Sequence, residues 1–196
     1  MTTAAVPPLP GEDHVCRPCG LDFAALSVED AAALVAAVPQ RARAVVEGRP
    51  DADLRRRPDP GTWSAAEHLC HLRDVHVTTT IRLHRARTEE LPVVEPMLND
   101  LRARRFRYAD CDVPAVLGEL AAAVAGVADE LRRVGPGGWE RRVTRLYRPA
   151  QAPAARLPGE ERTVRWLLRN AAHEGEHHLA DIERGLRAAR PPAARG

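Results

Sequence analysis

The sequence predicts an all-α protein folded as a four-helix bundle, and three observations carry that prediction. Hydrophobic residues make up 44% of the chain but aromatics only 4%, so the core must come mainly from Ala, Leu and Val, which suits packed helices better than sheets. Four segments of roughly twenty residues carry apolar side chains at helical spacing. At 196 residues the chain is long enough for one domain with a sizeable core and short for two.

The first helix begins at Ser27, where "SVED" offers an N-cap and an acid three residues on. It continues through "RARAVVEG", with Pro39 predicted to kink or break it. The second follows the turn-rich "RPDPGT", opens on the capping box "SAAE" at Ser64 and runs to about Thr88. The third spans roughly Val113 to Val134, with Val113, Leu117, Leu120, Val124, Val127, Leu131 and Val134 on one face, and "GPGG" ends it. The fourth runs from near Thr163 to about Ala189. Residues 1–24 are expected to form a CxxC-containing extension, 25–188 the bundle and 189–196 a disordered tail. Two connections, "ELPVVEPMLNDLRARRFRYADCD" and "WERRVTRLYRPAQAPAARLPGEER", exceed ordinary linkers and are expected to be functional or disordered.

Composition removes several function classes. A formal net charge of +2, with arginines matched by acids, argues against a nucleic-acid partner. No lysine occurs, which excludes Schiff-base catalysis and pyridoxal phosphate anchored by a side-chain amine. The amino terminus lacks a basic start followed by an apolar run, and no segment approaches a membrane-spanning length, so a cytoplasmic protein with no membrane partner is expected.

The chemistry concentrates in "NAAHEGEHHLADIERGL", Asn170 to Leu186, where three histidines and two glutamates fall within six residues of a predicted helix. Stepping along the stripe of Leu167, Ala171 and Ile182 by three or four residues lands on Glu174 and His178, with Gly175 beside them to admit a neighbouring element. The other i, i+4 pair, His173 and His177, shares its face with Asn170, Asp181 and Arg184, a solvent-facing composition. A Glu and a His turned into an apolar bundle are costly unless paired or coordinated. A divalent metal would satisfy both, given a ligand from a facing helix. The second helix offers His71, next to Leu72 on the apolar side, and also His68 and His76. Three protein ligands with open water positions make a catalytic site. Glu67 is read as the reciprocal partner of the Ser64 cap, and Trp63 and Trp166 as packing residues.

Together, "TWSAAEHLCHLRD" in the second helix and "HEGEHHLADIER" near the carboxyl terminus resemble the DinB-like superfamily of metal-binding four-helix bundles, over about Ala25 to Arg187. The resemblance implies an up-down-down-up bundle with long connecting loops. It is nearest the branch of mycothiol-dependent maleylpyruvate isomerase, in which a glutamate precedes a histidine by four residues, and it implies His71, Glu174 and His178 as metal ligands, with His173 and His177 the pair that a shifted register would substitute. The implied cofactor is a divalent ion, zinc foremost, with nickel or iron as alternatives, and the implied co-substrate is a low-molecular-weight thiol such as mycothiol. The expected function is therefore a thiol S-transferase or isomerase acting on a small electrophilic substrate. A thiol-independent hydrolase or cyclase, or a non-catalytic ligand-binding bundle, are the alternatives. Arginines of the long connections, such as Arg105 or Arg145, are candidates to hold carboxylates. Dimers are common in the family, so a homodimer is also expected.

One signal stands apart. "HVCRPCGLD" sets Cys16 and Cys19 in CxxC spacing. Neither Cys70 nor Cys111 belongs to a second CxxC, so zinc-finger arithmetic is incomplete, and the expectation is two reduced thiols in a turn before the first helix.

Overall fold

The computed structural model describes Val6 and residues 8–147 and 158–188. The predicted tail, 189–196, lies outside them. Four long helices make the bundle: α1 (Val28–Val46), α3 (Ala65–Thr88), α5 (Val113–Leu131) and α6 (Val164–Ala188). Short helices α2 (Asp51–Arg55) and α4 (Asn99–Arg105) lie in the connections.

Each long helix starts on a side chain that satisfies an otherwise orphaned amide. Ser27 accepts from the Asp30 amide at 2.9 Å, Asp112 from that of Ala115 and Thr163 from that of Trp166 at 3.0 Å. At α3 the capping box closes in both directions, with the Glu67 carboxylate accepting from the Ser64 amide at 2.9 Å and from the Arg57 guanidinium. Of the kink or break expected at Pro39, the break does not occur, since α1 runs through it. The hydrogen bond that proline removes is offset by burial of Val35, Val38 and Ala42 around it.

α1 and α3 each pack against both α5 and α6, so these two helices stand at opposite corners. Cross-helix contacts give the chain sense. Arg73 meets Glu119, Thr80 meets Ala123 and His84 meets Glu130, so α3 and α5 run parallel. Val38 meets Gly175 and Leu26 meets Arg169, so α1 and α6 also run parallel. His71 meets Glu174 while His68 meets His178, so α3 and α6 oppose one another. In α3 an unbroken run from Ala65 to Leu72 is buried, which puts His68 and His71 inside the bundle.

The all-α expectation needs correction. A three-stranded sheet, order β1-β2-β3, is built from the two long connections. β1 (Val93–Val94) runs parallel to β2 (Arg142–Leu146), with Val93 opposite Thr144, and β2 is antiparallel to β3 (Gly159–Thr163), with Arg142 opposite Thr163. The strands escape a hydrophobic-pattern reading because an arginine takes an inward position. In β2 the buried residues are Val143 and Arg145, the latter donating to Glu160 at 2.9 Å.

Residues 8–24 bind across β3 and the start of α6. Glu160 accepts from the Leu9 amide at 2.7 Å, Arg162 donates to the carbonyls of Leu9 and Pro10, and Trp166 donates its indole N–H to Gly11 at 3.1 Å. Phe23 is fully buried in the core. No helix of the described residues is long and apolar enough to cross a membrane.

Candidate metal centre

His71 comes from the buried half of α3, and Glu174 and His178 from one face of α6. A ligand atom of each lies within 4.8 Å of the other two. The Glu174 carboxylate is the hub. Its Oε2 lies 3.1 Å from His71 Nε2 and 3.3 Å from His178 Nε2. These separations match the edge of a coordination polyhedron with bonds of about 2.0–2.2 Å to nitrogen and oxygen.

The charges around the hub are strongly perturbed. Burial would raise Glu174, but its bonds to His178 and His71 outweigh that and hold it well below the usual carboxylate range. His178 is disfavoured as a cation by burial, yet Asp181 and Glu174 push it up to about 9. Burial, with His178 beside it, drives His71 down against the pull of Glu174. A neutral imidazole, an ionised carboxylate and an imidazole that exchanges its proton for a cation form a donor set suited to a divalent metal.

Outer contacts orient these donors. Asp181 Oδ2 lies 3.1 Å from His178 Nδ1, which leaves Nε2 to face Glu174. Trp63 meets His71 and His68 edge-on, with ring centroids 5.2 and 5.6 Å away. It therefore covers the site, which goes beyond the packing role expected of it. Trp166 is buried packing, as expected. His68 has no hydrogen-bond partner on either ring nitrogen among the described residues, and burial, with His178 beside it, lowers it to about 3. It forms a second group with His178 and Asp181. His76 is turned away, its Nδ1 bonding the Leu72 carbonyl at 2.7 Å.

A cavity of about 480 Å³ borders the first grouping: its wall includes His71 and Glu174, but not His178, His68 or Asp181. Val75, Met97, Leu98 and Leu101 give it apolar walls, beside Asp100 and three arginines, Arg82, Arg104 and Arg145. Burial, with Arg145 nearby, pushes Arg82 down to about 10, so it stays charged at neutral pH. Of the two arginines proposed from sequence, Arg145 lines the cavity and Arg105 is exposed away from it.

His173 and His177 do not join this group. They turn toward Cys16 and Cys19, where ligand atoms of all four residues lie within 4.8 Å of one another. Their face, read as solvent-facing, is covered by the segment carrying the CxxC, and Asn170 and Asp181 on it line the cavity and the metal site. A helix's own periodicity does not register a cover supplied by a segment some 150 residues away.

A family model described as the DinB superfamily matches residues 33–182. Among curated proteins, none matches the sequence. Among solved structures, the chain is similar to YfiT from Bacillus subtilis, described as a probable metal-dependent hydrolase with an unusual four-helix bundle topology. The TM-score is 0.70 at 22% identity, covering 83% of this chain and 89% of that one.

Proposed function

The chain belongs to the DinB superfamily, and from that premise we propose that it is a metal-dependent transferase that activates a low-molecular-weight thiol, such as mycothiol, for attack on a small anionic electrophile. The observation that carries this reading is the composition of the cavity. It joins the His71–Glu174 edge of the metal site to three arginines, and among the described residues its wall includes no Cys, Ser or Lys. Thr79 and Asp100 also stand in that wall, but the nucleophile proposed is one supplied from outside the chain and activated at the metal.

His71, Glu174 and His178 would hold a divalent cation, which would supply Lewis acidity and so lower the pKa of a bound thiol or water. The protein's own groups do the rest. Asp181 fixes the tautomer of His178. Arg82 and Arg145 hold anionic ends of the thiol or the electrophile, with Arg145 itself positioned by Glu160. Leu98, Leu101 and Val75 exclude water around the reacting carbon. Hydrolysis is the second reading, favoured by the description of YfiT and by the capacity of the same cation to take water.

The test is turnover of a panel of small unsaturated keto acids and carboxylate esters by zinc-loaded protein, with and without mycothiol. Thiol-dependent product formation, abolished by Glu174→Gln and raised about tenfold in KM by Arg82→Gln with kcat nearly unchanged, is expected. Turnover independent of thiol replaces the transferase with the hydrolase. Tight binding without turnover overturns both.

A further inference from the structure

We propose that Cys16, Cys19, His173 and His177 form a second, closed zinc site that clamps the amino-terminal segment onto α6. Sulfur and nitrogen donors of the four residues lie within 4.8 Å of one another. Cys16 Sγ stands 3.5 Å from His177 Nδ1. With zinc bonds of about 2.3 Å to sulfur and 2.0–2.1 Å to nitrogen, the corresponding tetrahedral edge is about 3.6 Å.

Both sides of the site are built. The thiols project from a tight turn closed by hydrogen bonds from the Gly20 amide to the Cys16 carbonyl, 2.7 Å, and from the Cys16 amide to the Leu21 carbonyl, 2.9 Å. Gly20 sits at φ +75°, which a side chain would disfavour. On α6 the two histidines are one turn apart. His173 is wedged edge-on between Phe23 and His14, with centroids 5.6 Å from each, and neither of its ring nitrogens has a hydrogen-bond partner among the described residues. A covered imidazole so arranged has a donor atom in need of an acceptor. His177 shows the opposite sign of completeness. Its Nδ1 faces Cys16 while its Nε2 lies 3.5 Å from Asp181 Oδ2, the carboxylate contact that ligating histidines characteristically keep. Charge also closes, since two thiolates and two neutral imidazoles balance a dication in a covered site.

The four donors leave no open position, so the role is structural. The site fastens the strap that crosses β3 and covers one side of α6, next to the cavity-facing centre and sharing Asp181 with it.

Cobalt(II) substitution of the full-length protein tests this directly, because sulfur-to-cobalt charge-transfer absorption in the near ultraviolet can arise only from the thiolate site. The band is expected in the unmodified protein and in Glu174→Gln, and is expected to vanish in Cys16→Ser/Cys19→Ser, whose zinc content falls by about one equivalent per chain. Should the double serine variant misfold by circular dichroism, the spectrum of Glu174→Gln decides. Absence of the band from the unmodified protein overturns the proposal, as does a Cys16–Cys19 disulfide with zinc content equal to that of the serine variant. Loss of the cavity-facing metal alone, with the band retained, counts against the proposed activity and leaves this site standing.

Discussion

A methyl group placed on Gly175 should destabilise the bundle even though alanine is the better helix former. A Cβ there would lie 2.7 Å from Val38 Cγ2, about 1 Å inside ordinary carbon–carbon contact. Val38 is fully buried, and a β-branched side chain in a helix has one dominant rotamer, so it cannot swing aside freely. Overpacking of this kind costs about 1–3 kcal/mol. Replacing an interior helical glycine by alanine returns about 0.8–1 kcal/mol. The expected net loss for Gly175→Ala is about 1 kcal/mol, a fall of roughly 2–4 °C in Tm for a chain of this size. Urea and thermal denaturation followed by circular dichroism, at one fixed zinc concentration, measure it. In a Val38→Ala background the clash is gone and only the propensity remains, so the same substitution should stabilise by about 1 kcal/mol. A stabilising effect of Gly175→Ala in the unmodified protein would refute the close approach of α1 and α6.

Two further outcomes are expected. Asp74 is buried, which would raise it, but Tyr108 at 2.5 Å, Arg102 at 2.6 Å and Arg73 hold it below the usual range. Its contribution is therefore present above the ordinary aspartate value of about 3.9 and is lost as pH falls through its depressed folded value. Asp74→Asn should cost about 2 kcal/mol at pH 7, with the gap to the unmodified protein narrowing in acid. A gap constant from pH 7 to 3 contradicts the assignment. Asp181→Asn should weaken zinc binding about 10–100-fold at the cavity-facing centre and at the thiolate site together, because His178 and His177 both lean on that carboxylate. Competition against a chromophoric chelator reads both losses, and unchanged affinity at either site removes the shared support.

Much of this architecture was legible in the chain, and the gaps have a common cause. Capping boxes and apolar stripes located the four helices because those signals are local. The spacing of Leu167, Ala171 and Ile182 selected Glu174 and His178 because a helix fixes the relation between neighbouring turns. What escaped involves partners remote in sequence. The sheet pairs residues of two separate connections, and its inward arginine is legible only once Glu160 is opposite. The arithmetic that left Cys16 and Cys19 without further ligands counted cysteines in motifs, whereas the histidines that complete the set were read as a solvent face on another element. Arg82 has no local signal, because its cavity is closed by Met97, Leu98 and Arg104 of the crossover that follows α3 and by Arg145 of β2.

The parallel course of α3 and α5 has its own consequence. A helix of 24 residues is about 36 Å long, and a chain that leaves its end to begin a parallel neighbour must travel back that whole distance. The return path, between Thr88 and Val113, carries β1, α4 and the cavity wall from Pro96 to Arg104. With the proposed ligands on rigid helices and the walls on an obligatory crossover, chemistry and recognition fall to separate parts of the chain. Changes of sequence in the crossover can remodel what is bound while the coordinating groups keep their places.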